Sequence, residues 1–343
     1  MTTAEATREE QRPATPRRSW RPAAARLRDG ETGRIFGALV ILCVAFSTLR
    51  PHAFPTSGNI VNIASDAAVL LVLAVGATYV ILTAGIDLSV SGVLVFSGVI
   101  SAKVMAALGG QSAGVLLLGL LAGLAAGAAW GLLNGVLVAR ARIPALIVTL
   151  GTLGASQGAA LLITGGVDVR DVPFNLVMSV GSGTVAGVPW LVVVALLVAA
   201  VGGVALSQTR FGRYTYAAGS NPEALRRTGV ATSRHLIKVY ALAGLLAGLA
   251  GYLSLARFAT TTLSGHSTDN LQTIAAVVIG GTSLFGGRGT MIGTVIGVFI
   301  PTVLQNGFVV LGVQPFWQQI AVGVVLILAV YLDQMRRAAR DRP

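Results

Sequence analysis

Residues 113–139 read AGVLLLGLLAGLAAGAAWGLLNGVLVA and contain no charged side chain. An apolar stretch of about 20 residues crosses the ~30 Å hydrocarbon layer as a helix, which satisfies every backbone polar group internally. A glycine recurs at every fourth position of this stretch, at Gly119, Gly123, Gly127, Gly131 and Gly135. Such a row of small residues on one helix face lets a second helix approach closely within a membrane. The segment therefore predicts a membrane-spanning helix that packs tightly against another.

The rest of the chain has the same apolar character. Of the 343 residues, 54% are hydrophobic and 11% are charged, whereas about 25% of the residues of an ordinary soluble domain are charged. We therefore predict an all-α fold, a polytopic transmembrane helical bundle that occupies 35–332. About ten stretches approach the length of a span, and we place them at 35–49, 60–83, 88–107, 113–139, 144–163, 188–206, 238–256, 270–285, 290–309 and 316–332.

The basic residues orient this bundle. The formal net charge is +12, but Lys and Arg lie between the apolar runs, so a nucleic-acid partner is not indicated. With ten spans and a cytoplasmic N-terminus, 21 of the 25 basic residues fall on the cytoplasmic side, as the positive-inside rule requires. We therefore expect both termini in the cytoplasm. The N-terminal tail at 1–34 is basic, lacks the apolar core of a signal peptide and is predicted to be disordered, and a short tail follows at 333–343.

The sequence lacks the motifs that several classes of function require. No G-x-x-x-x-G-K-[ST] phosphate loop occurs, so we do not expect this chain to hydrolyse ATP. No HExxH motif occurs, and the three histidines are far apart in sequence. The single cysteine, Cys43, can form neither an intramolecular disulfide nor a cysteine-based metal site. The sequence thus predicts a chain that is not an enzyme and has no metal site.

The longest cytoplasmic connection in this topology, at 207–238, contains a compact helix signal. Asn221 is a good N-cap, Pro222 suits the first helical position, and Glu223 complements the positive end of the helix dipole. Gly229 can take the left-handed conformation that ends a helix. The alternative is a solvated basic loop. We interpret the segment as a docking element for a cytoplasmic partner, with candidate residues Asn221, Pro222, Glu223, Arg226, Arg227 and Gly229.

Three short stretches are the most distinctive in the chain. They are GIDLSV at 85–90, RYTYAAGSN at 213–221 and IAAVVIGGTSLFGGRG at 274–289. Together they resemble signature sequences of the ribose/xylose-type permeases of ABC importers, which belong to the larger branched-chain amino acid and sugar permease family. The resemblance runs from about 60 to 331, with the stretches in the right order and spacing.

The resemblance implies a multi-pass permease in the lipid of the bacterial cytoplasmic (inner) membrane. Such a permease dimerises with an identical or related copy, receives sugar from a periplasmic or lipid-anchored binding protein, and docks on a cytoplasmic ATPase. ATP and Mg²⁺ would then be bound by that ATPase, and this chain would bind no cofactor. The helix at 221–229 would be the coupling helix, although the longer coupling motif of maltose-type permeases is missing.

Polar side chains within spans are costly, and so they mark candidate functional positions. Asp66 lies one or two turns from the outer end of the second span. Its carboxylate could bind sugar hydroxyls, hold a proton, or pair with a basic residue such as Arg257. Amides bind sugar hydroxyls but also join helices. Candidates for the translocation path are Asp66, Asn134, Gln157, Asn270, Gln272, Gln305 and Asn306.

A second group of candidates lies at glycine-rich corners between spans. Asp87 falls in the first such corner, on the cytoplasmic side of the predicted topology. It either caps the following helix or takes part in gating or in contact with the ATPase. The candidate gating residues are Gly85, Asp87, Gly286 and Gly287.

Three other functions stay open from the sequence. The cargo of the same family could be another small polar solute, such as a polyol, a nucleoside, an autoinducer sugar or an amino acid. An ion-coupled secondary transporter would use Asp66 as its proton site. A membrane scaffold is disfavoured, because a scaffold has no need of repeated polar groups inside its spans.

Overall fold

The computed structural model describes residues 31–314 without a gap, and beyond them the separate residues 316, 317, 319–321, 323, 324, 327, 328, 331, 334 and 335. Most of the predicted terminal tails and much of the predicted last span, 316–332, lie outside the described residues. The helices are α1 (Glu31–Leu49), α2 (Ser57–Leu82), α3 (Val90–Leu108), α4 (Ala113–Ala139), α5 (Ala145–Thr164), α6 (Phe174–Leu176), α7 (Trp190–Gln208), α8 (Arg210–Ser220), α9 (Pro222–Arg227), α10 (Thr232–Phe258), α11 (Asp269–Ile279) and α12 (Met291–Leu311).

Eight helices of the described part are long and apolar enough to cross a membrane, namely α1 to α5, α7, α10 and α12. Side-chain caps fix where several of them begin. Thr56, Ser112 and Thr290 each accept a hydrogen bond from the backbone N–H three residues on, at the starts of α2, α4 and α12. The fold is therefore a polytopic helical membrane protein, as predicted.

Three boundaries differ from the prediction. The predicted eighth span, 270–285, is helical only over α11, whose 11 residues extend roughly 16 Å, about half of the ~30 Å hydrocarbon layer. Non-helical residues therefore complete the path from the loop 259–268 to the loop 280–290. Gly280 ends this helix and Gly281 follows at φ 87°, a conformation that continues neither a helix nor a strand. At the other two sites, α1 begins at Glu31, within the predicted tail, and α10 begins at Thr232, within the predicted connection 207–238.

The predicted glycine ladder of α4 packs against α10. A Cβ atom added at Gly127 would overlap the carbonyl oxygen of Gly244, and one added at Gly131 would lie 2.9 Å from the Gly244 Cα. In turn, Gly248 faces the backbone of Gly123. The two backbones are thus in direct contact, and the close helix approach predicted from the spacing is confirmed.

A small antiparallel hairpin lies between α6 and α7. One turn of helix, Phe174–Leu176, widens into a π-helical turn, Val177–Gly181, and two short strands follow, β1 (Thr184–Val185) and β2 (Val188–Pro189). The hairpin lies at the same end of the bundle as the loops 109–112 and 259–268, because Gln111 binds Asn175 and Thr261 binds Val169.

The basic residues collect at the other end of the bundle. We call this the basic end and define it by the loops 83–89, 140–144, 209–231 and 280–290. Antiparallel packing places the end of α4 beside the start of α10, and Leu82 at the end of α2 contacts both Gly219 and Gly287. The described basic residues at this end are Arg34, Arg140, Arg142, Arg210, Arg213, Arg226, Arg227, Arg234, Lys238 and Arg288.

Candidate functional site

A polar cavity of about 460 Å³ lies near the end opposite the basic end. It is enclosed by α2, the last turn of α10, the loop 259–268, α11 and α12. Four of the seven predicted path residues line it, namely Asp66, Gln272, Gln305 and Asn306. Binding cavities for small ligands commonly have volumes of about 300–1,000 Å³, so the space is large enough for a small polar solute.

Asp66 faces Arg257 across this cavity. The Arg257 Nε atom lies 3.3 Å from Asp66 Oδ1, and its Nη2 atom donates to Asn62 Oδ1 at 3.2 Å. Asn62 and Asp66 are one helical turn apart, so both side chains project from the same face of α2. The structure thus shows the pairing that the sequence analysis raised for Asp66. Both members remain partly exposed to the cavity, with 24% and 44% of the Arg257 and Asp66 side chains accessible.

His266 links two helices and a loop in the wall of the cavity. Its Nδ1 atom lies 2.7 Å from Asp269 Oδ2, and its Nε2 atom lies 2.7 Å from Ser254 Oγ. These contacts fasten the loop 259–268 to both α10 and α11. Phe258, which is 47% exposed, adds an aromatic face to the same cavity. Sequence reasoning missed His266, Asp269 and Phe258, and the only local signal was the spacing of His266 and Asp269 by three residues.

The other three predicted path residues lie away from the cavity. Asn134 is fully buried, and its Nδ2 donates to Ser89 Oγ at 2.8 Å. Asn270 donates to the carbonyl oxygen of Leu88 at 3.3 Å. Gln157 lies half-buried on α5. Asn134 and Asn270 therefore join helices to the corner that follows α2.

That first corner, residues 83–89, is an irregular buried segment. Ser89, not Asp87, occupies the N-cap position of α3, and Asp87 Oδ1 accepts bonds from the Ser89 backbone N–H at 2.9 Å and from Ser89 Oγ at 2.6 Å. Asp87 therefore shapes the turn before the helix, which differs from the predicted cap on the helix itself. Gly85 packs against the Tyr240 hydroxyl, 2.6 Å from where a Cβ would stand.

The second corner, residues 280–290, meets the first at the basic end. The Gly287 backbone N–H donates to the carbonyl oxygen of Leu82 at 2.9 Å. Gly286 and Gly287 have φ of 79° and 72°, which only glycine adopts readily, and a Cβ at Gly286 would stand 2.8 Å from the Ala84 nitrogen. The predicted corner residues Gly85, Asp87, Gly286 and Gly287 thus lie in two segments that are in direct contact.

Helices α8 and α9, Arg210–Arg227, form an arm that rests on both corners. The Tyr216 hydroxyl donates to the carbonyl oxygen of Gly289 at 2.8 Å, and burial raises the pKa of this hydroxyl, so it stays a hydrogen-bond donor. Gly219 lies directly against the Leu82 carbonyl group and is 2.9 Å from the Cβ position of Gly286. The arm is thus in contact with the ends of both corners.

The tip of the arm has the form that the sequence predicted. Asn221 Oδ1 accepts the Ala224 N–H at 2.9 Å, and Gly229 has φ 84° just beyond the helix. Glu223 lies 2.9 Å from Arg226 and 3.5 Å from Arg227. More than half of each of these three charged side chains is exposed, so α9 presents a charged surface at the basic end.

Comparison with known proteins identifies a family. Residues 59–330 match the family described as "Branched-chain amino acid transport system / permease component". The chain is 39% identical over 307 residues to the ribose import permease protein RbsC of Escherichia coli K12, covering 88% of this chain and 92% of the relative. It is 35% identical over 306 residues to the D-allose transport system permease protein AlsC of the same strain, covering 88% and 90%. It is also 35% identical over 307 residues to the fructose import permease protein FrcC of Rhizobium meliloti, covering 87% and 84%.

No solved structure matches the chain significantly. The family match nevertheless covers the helices that build the cavity, both corners and the arm. This multi-pass membrane protein therefore belongs to the family of branched-chain amino acid transport system permease components.

Proposed function

We propose that this chain is the membrane permease subunit of an ATP-driven importer of a monosaccharide. The observation that carries the proposal is the polar cavity, enclosed by spans of a chain that is 35–39% identical to ribose, allose and fructose permeases. Sugar hydroxyls both donate and accept hydrogen bonds, which suits the carboxylate, guanidinium and amide groups around the cavity. Relatedness to these permeases also favours this function over an ion-coupled secondary transporter.

The importer needs two further partners and a second permease copy. ATP hydrolysis belongs to a cytoplasmic ATPase, and sugar arrives on an exported binding protein, as is general for ABC importers of this family. The second copy is either identical or a related chain. In this assembly the cavity is the outer part of the translocation path, and Asp66, Gln272, Gln305 and Asn306 contact the passing sugar.

The arm couples the ATPase to this path. Its exposed tip, α9, carries charges that are available to a partner, while its other face contacts the two corners. A movement imposed on α9 therefore reaches the corners through α8, whose Tyr216 and Gly219 make these contacts. The corners Gly85–Asp87 and Gly286–Gly287 act as the gate on the basic side.

Replacing the charged tip tests the coupling. In proteoliposomes that contain the permease, its ATPase and the sugar-loaded binding protein, we expect the combined substitution of Glu223, Arg226 and Arg227 by Ala to lower ATPase activity to its unstimulated level. The matched control replaces Arg140 and Arg142, which are exposed at the same end but lie outside the arm. Full sugar-stimulated turnover in the triple variant would contradict the role of the arm.

A labelling experiment tests the orientation that coupling requires. In a Cys43→Ala background, Arg226→Cys should react with a membrane-impermeant maleimide only in inside-out vesicles. Val185→Cys, which places the label on the hairpin at the opposite end, should react only in right-side-out vesicles. The reverse pattern would place the arm outside the cell, where no ATPase can reach it.

A further inference from the structure

Asp87 is a buried carboxyl group that does not line the polar cavity, and its protonation has no part in the gate proposed above. It lies in the first corner, between two membrane-spanning helices, and only 4% of the residue is exposed. The polar cavity is lined by other residues. An ionised carboxylate is far more costly to bury than a neutral polar group unless a cation pairs with it.

No cation neutralises Asp87 within the described residues. The ion pairs of Glu223, Asp66 and Asp269 do not reach the first corner, and the described residues show no ion pair to Asp87. Both hydrogen bonds that Asp87 receives come from one residue, Ser89. Two neutral donors on a single oxygen are little compensation for a full charge removed from water.

Two neighbouring polar atoms lack hydrogen-bond partners. Asn134 is fully buried, and its Oδ1 has no donor, although its Nδ2 binds the same Ser89 hydroxyl that binds Asp87. Tyr240 is 1% exposed, and its hydroxyl, which packs against Gly85, is also without a partner. A buried polar atom without a partner destabilises the fold, so a missing donor at this place is physically significant.

We propose that Asp87 is a proton-binding site and carries its proton while the protein is in this conformation. A carboxylate can only accept hydrogen bonds, whereas a carboxylic acid also has an O–H to donate. The proton on Asp87 supplies the donor that Asn134 Oδ1 lacks, next to the Ser89 hydroxyl that both residues bind. The proton comes from bulk water, and no bond other than the O–H bond is formed.

A small cation such as Na⁺ is the rival occupant. It would need Asp87, Asn134 Oδ1 and Ser89 Oγ as oxygen ligands. Ser89 Oγ, however, already donates to Asp87 and accepts from Asn134 Nδ2, which leaves it a single lone pair to offer a cation. The hydrogen-bond pattern therefore fits a proton better than a cation.

The neutral acid joins two parts of the bundle without introducing a charge. Ser89 and Asp87 belong to the corner between α2 and α3, and Asn134 belongs to α4. A corner held by a neutral acid can shift within the low-dielectric interior more easily than one held by an anion. The inference concerns the protonation of this chain and stands whichever solute the importer carries.

The proposal is tested by infrared spectra of the purified full-length permease in lipid, with the spectrum in D₂O subtracted from the spectrum in H₂O. At about pH 7, where an ordinary aspartate is ionised, we expect a protonated-carboxyl C=O band that shifts in D₂O. Asp87→Asn should lose this band, whereas Asp66→Asn, which keeps Asp87, should retain it. If Asp87→Asn does not insert, the band in the wild-type and Asp66→Asn proteins still decides the matter.

Transport supplies an independent readout. Asp87→Asn keeps an acceptor for Ser89 and a donor for Asn134, so we expect its uptake to exceed by about tenfold that of Asp87→Ala, which leaves those groups unpaired. Absence of the band from the wild-type protein would overturn the proposal. So would a thermal stability that rises with Na⁺ but not with choline and that loses this response in Asp87→Asn.

Discussion

Replacing Gly219 by Ala should weaken the contact between the arm and the corners by a calculable amount. The added methyl group would overlap the Leu82 carbonyl oxygen and stand 2.7 Å from the Gly287 nitrogen. Because non-bonded carbon and oxygen atoms stay roughly 3.3 Å apart, the arm must move by about 1 Å. Such overpacking costs about 1–3 kcal/mol, and loss of the Gly287–Leu82 hydrogen bond adds about 1 kcal/mol. The higher helix propensity of Ala offsets about 1 kcal/mol of this loss of stability.

The expected net loss is therefore about 1–3 kcal/mol, measured as a lower unfolding temperature in lipid nanodiscs. Sugar-stimulated ATPase activity should fall as well, because the perturbed contact lies on the proposed coupling route. Gly158→Ala on α5 is the matched control, since no atom lies within 4 Å of the added Cβ. If Gly219→Ala were as stable and as well coupled as wild type, the contact between arm and corners would have no mechanical role.

Three further substitutions probe the bundle and the cavity. Gly127→Ala should lower stability by about 1–3 kcal/mol in thermal unfolding, because the methyl group meets the α10 backbone; unchanged stability would refute the close packing. Arg257→Gln should reduce sugar uptake by leaving the charge of Asp66 unpaired, and adding Asp66→Asn should recover part of it; strictly additive losses would show that the two residues act separately. Asn306→Leu breaks the reciprocal 2.9 Å amide bonds with Asn59 and should cost about 1 kcal/mol in the same unfolding assay, whereas a neutral result would show that the pair adds nothing.

The spans and their packing could be predicted because lipid imposes simple rules on a chain. A helix must satisfy its own backbone, so the length of the apolar run fixes α4 closely, and the four-residue spacing of Gly127 and Gly131 marks the face that touches another helix. Helix α9 could also be predicted from the sequence, because the N-cap at Asn221 and the left-handed conformation of Gly229 depend only on neighbouring residues in the chain.

The short length of helix α11 could not be predicted from hydropathy. The run 270–285 is apolar enough to resemble a span, but Gly280 packs against the backbone of Gly293, and Gly281 takes a positive φ. At the point where the helix ends, Gly280 is buried against protein and not against lipid. Hydropathy cannot report that burial, because it measures the preference of residues for an apolar medium and not whether the medium is lipid or protein.

The composition of the cavity could be predicted only in part. Asp66 and Arg257 are 191 positions apart in the sequence, and nothing local to either residue fixes their distance. Asn134 and Asp66 look alike in sequence, as polar residues in apolar runs, yet one joins α4 to a corner and the other faces open space. What separates them is the rotation of each helix about its axis, which tertiary packing determines.

Two helices connect the arm to the cavity, which gives the proposed coupling a physical route. Helix α2 has Asp66 at the cavity and Leu82 against the arm, with a rigid separation of roughly 24 Å. Helix α11 has Gln272 at the cavity and runs into the corner that Tyr216 holds. Because helices resist compression and both are buried along most of their length, we infer that a shift of the arm moves their cavity ends as well. The arm therefore needs no contact with the solute to change the shape of the space around it.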